Sequence, residues 1–224
     1  DAHLRPDRYV AELARVVRER GGRIVEHCAL QSLESGAQGV LATTAQGSLR
    51  ARDVILATGA WSPRIASAVG LPWLRKTIQP GKGYSITYSR PARVPRHQMV
   101  LKDRSVCVTV WGSGFRLGST MEFSGHDDTL NATRLAALER GAREFLREPA
   151  GAEVHERWCG WRPMTWDDLP LLGRAPGQRK VWIAAGHGML GISMSTATGQ
   201  LMADLMTGRP PAFDPSPYRP ERFA

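Results

Sequence analysis

Apolar residues recur at two different periods along this chain, and the switches between them divide it into three stretches. Over residues 6–20, Val10, Leu13, Ala14 and Val17 fall at i, i+3, i+4 and i+7, which predicts an amphipathic helix. Gly21 and Gly22 follow, and glycine accepts the left-handed conformation that ends a helix. Residues 23–26 read as a short strand. Residues 39–45 and 48–52 read as strands joined at Gln46-Gly47, a hairpin signal. Val54-Ile55-Leu56-Ala57 is a continuous apolar run, as suits a parallel strand buried on both faces, and it runs into Thr58-Gly59-Ala60-Trp61.

From about residue 77 to 122 the period drops to two. Residues 84–88 alternate, 106–111 are strand-like, and 115–120 follow a Gly112-Ser113-Gly114 turn. Residues 131–147 then read as a helix with Leu135, Leu138, Ala142 and Phe145 on one side. This block predicts an antiparallel sheet with a helix. The last stretch returns to the first style. Residues 181–185 form a second buried apolar strand, which enters the glycine-rich turn 186–191. A helix turning Met194, Ala197, Leu201 and Leu205 inward comes next; Gly208 caps it and Pro210-Pro211 stop it. The proline-rich end, 210–220, reads as a surface tail.

Composition narrows the class. The chain has 224 residues, 42% hydrophobic and 23% charged, as folded domains have. That length buries on the order of 70% of the unfolded surface, which excludes a disulfide mini-scaffold and a disordered tail. No window approaches the ~18 consecutive apolar residues of a membrane span. The opening has no Met, basic n-region or apolar h-region, so it is no signal peptide, and a start at Asp1 reads as a piece of a longer protein. The net charge is +9, and 26 of the 30 basic residues are Arg. They are scattered without any block of ~5–6 like charges, which reads as a solvated surface and not as a nucleic-acid footprint. The three Cys are odd in number and far apart, so buried, reduced thiols in a cytosolic compartment are expected.

Three places could carry chemistry. Gly186 to Ser193 combine a strand, a glycine turn and a helix N-terminus, a site for negative charge; a plain tight turn is the equal alternative. Arg162 lies in the aromatic stretch WCGWRPMT, and a guanidinium binds a carboxylate with two prongs. Its alternative is an internal partner such as Asp167 or Asp168. Of His3, His27, His97, His126, His155 and His187, only His187 sits in a glycine turn, and none has metal-ligand spacing. No G-x-S-x-G elbow occurs. No catalytic acid or base and no metal are therefore expected.

Three separated motifs give a resemblance: DVILATGAWS (53–62), WCGWRPMTWDDLP (158–170) and AGHGMLGISMSTATGQLMAD (185–204). The opening DAHLRPDRYV and RLGSTMEFSG (116–125) agree. The chain resembles the D-amino-acid oxidase-like flavoproteins over its whole length, most of all the small subunit of bacterial D-amino-acid dehydrogenase, with glycine and sarcosine oxidases as cousins. The fold class this implies is α+β / α/β: an incomplete FAD-binding Rossmann-like domain with an inserted, mostly antiparallel substrate domain. Residues 1–75 and 156–224 would belong to the FAD domain and 76–155 to the substrate domain. The family's G-x-G-x-x-G, which receives the FAD pyrophosphate, does not occur here; GKG (81–83) and GSG (112–114) lack the third glycine. The chain thus reads as the C-terminal part of a longer FAD protein.

The resemblance also implies roles. Leu30 matches a position whose backbone meets the adenine. Thr58, Gly59 and Trp61 match the turn beside the FAD phosphate and ribose. Gly186, His187, Gly188, Met189, Leu190, Gly191 and Ser193 match the loop and helix start that face the flavin ring. Arg162 matches the clamp for the substrate carboxylate, with Tyr84 as a second substrate-binding candidate. Met189 stands where glycine oxidases carry a further Arg, and Trp166 and Asp168 replace the Pro and Gly of the usual T-P-D-G. The activity implied is oxidative deamination of D-amino acids: a hydride passes from the α carbon to flavin N5, and the imine hydrolyses to a 2-oxo acid and ammonia. Partners implied are the amino-acid substrate, no nucleic acid, and a quinone or peripheral membrane link at the inner face from a cytoplasmic location. The alternatives are a non-catalytic remnant without FAD and, third, a basic nucleic-acid or membrane-surface binder.

Overall fold

The computed structural model describes residues 4–224. The chain divides into two compact units: residues 1–78 with Pro163–Ala224, and Gln79–Arg162. The first unit opens with helix α1 (Pro6–Glu19), which has Pro at its first position and ends where Gly21 takes φ +83°. Strands β1 (Leu30–Gly36), β2 (Gly39–Thr44) and β3 (Gly47–Ala51) form an antiparallel sheet in chain order. Strand β4 (Val54–Leu56), a 3-10 turn (Gly59–Trp61) and the short helices α2 (Ser62–Ile65) and α3 (Leu74–Thr77) follow.

The second unit is one five-stranded sheet covered on one face by a helix. Its strands are β5 (Ile78–Tyr88), β6 (Met99–Leu101), β7 (Val106–Trp111) and β8 (Gly114–Glu122). Helix α4 (Ala132–Arg143) starts at Asn131, whose side chain accepts hydrogen bonds from the amides of Thr133 and Arg134. Strand β9 (Val154–Thr165) completes the order β6-β7-β8-β5-β9. Alternation explains the layering. Tyr84, Ile86, Val106, Val108, Phe115 and Leu117 point to one face and pack with Leu135, Leu138 and Ala142 of α4.

The chain then returns to the first unit with β10 (Leu171–Arg174), β11 (Val181–Ala185) and α5 (Gly191–Thr207). The sheet order is β10-β11-β4, with β11 antiparallel to β10 and parallel to β4. β11 is central, and its apolar run is buried accordingly. The core around it joins Leu56, Val69, Leu71, Leu74, Ile78, Leu171, Val181 and Ile183. Leu201 and Met202 of α5 pack on Leu172 and Trp182.

Several expectations are corrected. Residues 23–26 form no strand; the strand lies at Leu30–Gly36, where pairing with β2 overrides a segment without alternation. Ile55 is 43% exposed, because the α5 side chains that cover its neighbour Trp182 do not extend over β4. Phe145 is exposed, since α4 ends at Arg143 and its periodicity no longer applies. Ala197 is exposed, because only the second half of α5 packs on its sheet. All three Cys are free as expected, but each is half-buried. The C-terminal residues are docked, not a loose surface tail. Pro220 is buried, Phe223 packs on the core, and the Arg222 guanidinium grips Asp167 (2.6 and 3.2 Å) and the Leu169 carbonyl (2.7 Å).

Candidate functional site

The two parallel strands of the first unit end side by side, Ile183 opposite Leu56. Their carboxyl ends feed two glycine turns, the usual place for a ligand in an α/β sheet. At the first turn, Gly59 has φ +51°, the Thr58 and Ser62 hydroxyls lie 2.9 Å apart, and Trp61 is 47% exposed. At the second, Gly186 and Gly188 have φ +84° and +53°. A Cβ on Gly186 would come within 2.7 Å of Thr165 Cγ2, so only glycine fits. The Gly188 amide donates to the Pro163 carbonyl at 3.0 Å. Met189 and Leu190 are exposed, forming an apolar lip before α5. No side chain caps α5, which leaves its first-turn N–H groups to an incoming acceptor. Ser193 is exposed in that turn. His187 Nε2 lies 2.9 Å from Thr198 Oγ1, and burial lowers the imidazole pKa, which keeps the ring neutral at physiological pH.

Leu30 lies elsewhere, at the start of β1 opposite Thr44 in a different sheet, with its side chain on the core. The structure therefore brings Thr58, Gly59 and Trp61 to the same sheet edge as Gly186 to Gly191, and Leu30 to another sheet. His3 lies outside the described residues.

The second unit holds the other site. The sheet face away from α4 carries Ser85, Thr87, Cys107, Thr109, Arg116, Gly118, Trp158, Gly160 and Arg162, mostly small or polar. Many of these residues line a cavity of about 280 Å³. Of the two Arg on this face, Arg116 is committed: it donates to Thr87 Oγ1 (2.8 Å) and to the Glu156 carboxylate (2.9 Å). Arg162 is not. Its guanidinium donates to the Thr120 carbonyl at 3.1 Å and approaches Met121 Sδ at 4.0 Å, and among the described residues no carboxylate pairs with it. Of the two alternative internal partners, Asp167 is held by Arg222 and Asp168 Oδ1 lies beside Gly188. Burial lowers the Arg162 pKa, yet a guanidinium stays charged.

Two features place Arg162. A Cβ on Gly83 would overlap its guanidinium, so glycine permits its position. The carbonyl it holds belongs to a bulge, where two residues of β8 in positive φ (Ser119 +143°, Thr120 +62°) break the register with β5. Tyr84 also contributes to the cavity lining. Its ring is buried beneath α4, and its hydroxyl donates to Glu122 at 3.1 Å. Glu122 also meets Arg134 at 3.3 Å. Beside it the fully buried Lys82 ammonium donates to the Thr129 carbonyl (2.6 Å) and Asp127 (3.3 Å).

Sequence reasoning passed over the cavity itself, with Ser85, Cys107, Thr109 and Trp158. The signal was present as alternation: Trp158, Gly160 and Arg162 occupy every second position and so share one face. Glycines within strands, at 83, 118 and 160, marked the space above it.

Two glycine turns at the carboxyl ends of a parallel strand pair, and an antiparallel unit in which Arg162 lines a cavity, describe a two-unit α/β chain. The family comparison is specific. The DAO profile, described as FAD dependent oxidoreductase, matches residues 1–205, and the chain belongs to that family. It is 36% identical over 178 residues to a glycine oxidase of Pseudomonas putida, covering 80% of this chain and 48% of that protein. It is 33% identical over 226 residues to a D-amino acid dehydrogenase of Paramagnetospirillum magneticum, covering 100% and 52%. The crystal structure of glycine oxidase from Geobacillus kaustophilus superposes with a TM-score of 0.85 at 29% identity, over 93% of this chain and 56% of that one. The L-proline dehydrogenase of P. horikoshii shares the fold, with a TM-score of 0.82 at 22% identity over 97% of this chain and 59% of that one. The chain spans about half the length of the known relatives it matches.

Proposed function

We propose that this chain forms the substrate-binding part, together with the ring-facing part of the FAD site, of an enzyme that oxidatively deaminates D-amino acids. The observation that carries the reading is Arg162, a guanidinium at a cavity with no carboxylate of its own. Relatives named D-amino acid dehydrogenase and glycine oxidase support an amino-acid substrate.

FAD fits the residues present at the ring end. Thr58, Gly59, Trp61 and Gly186 to Ser193 would hold it: the glycines leave room for close approach, and the uncapped α5 N-terminus favours negative charge. Leu30 is the further contact proposed, toward the adenine. Bound FAD supplies the two-electron acceptor for the α C–H bond. The rest of the work falls to this chain. Arg162 fixes the substrate carboxylate by paired charge-assisted hydrogen bonds, which restricts the rotation of the α carbon. Trp158 and Trp161 wall the cavity. His187 stays neutral and adds no cation to the loop. No side chain is needed as a base if the substrate amine binds uncharged, and the product imine hydrolyses to a 2-oxo acid and ammonia. A cytoplasmic location and a quinone link at the inner membrane face belong to the same proposal. Among the described residues no helix is long and apolar enough to cross a membrane.

The test is anaerobic mixing of the FAD-loaded full-length protein with D- and L-amino acids. D-Amino acids are expected to bleach the flavin with one 2-oxo acid formed per turnover, and Arg162→Lys is expected to weaken that response roughly a hundredfold through lost bidentate binding. Bleaching by L-amino acids alone overturns the stereochemical reading. An undiminished response in Arg162→Ala overturns the assignment of the clamp.

A further inference from the structure

The cavity beside Arg162 also carries a group that needs a partner. Ser85 is 5% exposed, and its hydroxyl meets no protein partner. It faces the cavity from β5, directly opposite Gly118 of β8, which on its other side faces Cys107 of β7. Gly118 has no side chain to fill the space between them. The result is a notch with Gly118 as its floor and Ser85 and Cys107 as its walls, with the hydroxyl-bearing Thr109 also lining the cavity. Gly83, on which the Arg162 guanidinium rests, lies two residues along β5 from Ser85, roughly 7 Å at the ~3.4 Å rise of a strand. The charged groups of the lining are both Arg, and no carboxylate lines the cavity.

We infer that the notch is a side-chain subsite in which Ser85 selects amino acids carrying a short hydroxyl or carboxamide side chain. This rests on the proposed reading of Arg162 as the carboxylate clamp. With the carboxylate on Arg162, a short side chain reaches along β5 toward Ser85. A hydroxyl or amide there satisfies the buried Ser85 hydroxyl, which can both donate and accept. A methyl leaves that group unpaired, and a site built around a buried polar group discriminates against the analogue that lacks its partner.

The experiment uses 3-hydroxypropionate and butyrate. They end in a hydroxyl or a methyl where a serine side chain ends, and they have no amine to oxidise. Each is titrated into the full-length protein saturated with FAD, and binding is read from tryptophan fluorescence, since Trp158 and Trp161 line the cavity. The expected result is binding of 3-hydroxypropionate roughly five- to tenfold tighter than butyrate, the value of one hydrogen bond. Ser85→Ala should bring the two to parity. Gly118→Ala, whose added Cβ would sit in ordinary contact 3.5 Å from Ser85 Cβ, should fill the notch and weaken 3-hydroxypropionate most. Equal affinity of the wild type for both acids, or a preference that survives in Ser85→Ala, overturns the subsite. Arg162→Ala separates the two readings. Loss of both acids there, with no wild-type preference between them, leaves the clamp standing and removes the subsite. Undiminished binding of both acids removes the clamp and the subsite with it.

Discussion

Gly83→Ala is the most informative single change, because it acts on Arg162 without touching it. A Cβ at position 83 would lie 2.6 Å from Arg162 Cζ and Nη2, and closer still to Nη1. Carbon contacts relax to about 3.5 Å, so the guanidinium must retreat by about 1 Å. The obstructing atoms are the far end of a flexible side chain, so the sheet itself need not move. Gly83 also has no positive φ, so alanine suits its backbone. The fold is therefore expected to survive, with a stability change within about 1 kcal/mol. The site should not fare as well. A 1 Å retreat breaks at least one charge-assisted hydrogen bond to a bound carboxylate, worth about 1.5–3 kcal/mol. That corresponds to a roughly ten- to hundredfold loss of affinity. The assay is paired: butyrate titration for the site, and thermal unfolding for the fold. Wild-type butyrate affinity in a folded Gly83→Ala protein would refute the placement of the clamp.

Other outcomes follow from the same structure. His187 is kept neutral by burial, so the unfolded chain binds its proton more readily, and stability should fall as pH drops through about 6.5. His187→Gln should flatten the change in Tm between about pH 7.5 and 5.5; an unchanged slope would show that His187 does not cause it. Arg222→Ala should cost about 1–2 kcal/mol in urea unfolding and expose amides 216–223 to hydrogen exchange, because the Asp167 and Leu169 contacts dock the C-terminal turns. The Arg222 hydrogen bonds hold the Asp167 pKa low, so the wild-type advantage should be full above about pH 3.9 and fade as acid protonates that carboxylate. Unchanged exchange at 216–223 would count against the docking.

How much of the fold was legible depended on whether one chain segment alone set each element. The 3.6 period of α1, the turn at Gly112-Ser113 and the apolar run of β11 are local signals, and each produced the expected element. β1 was illegible because LQSLESG has no alternation; its strand form comes from pairing with β2. Burial was legible only where neighbours were implied. The runs at 54–57 and 181–185 read alike in sequence, yet Trp182 of β11 packs with Leu201 and Met202 of α5 while Ile55, its neighbour on the same face, stays outside that cluster and is exposed. The C-terminal prolines read as punctuation. Their docking comes from Arg222 meeting Asp167, 55 residues away, a pairing that no local pattern encodes.

The sites divide in the same way. The glycine turns could be read because positive φ is a local demand: Gly59, Gly186 and Gly188 all adopt it. Gly83, Gly118 and Gly160 adopt no positive φ, and their reason is space: guanidinium over Gly83, a notch over Gly118, the Trp158 ring over Gly160. A glycine inside a strand weakens it, so three on one face of one sheet need a common cause. At 83 and 160 the clearance seats Arg162 and Trp158, which line the cavity, and at 118 it opens the notch beside Ser85. The strand glycines and Arg162 therefore carry more information about the proposed substrate site than the sheet's apolar positions, which fix only the face packed on α4.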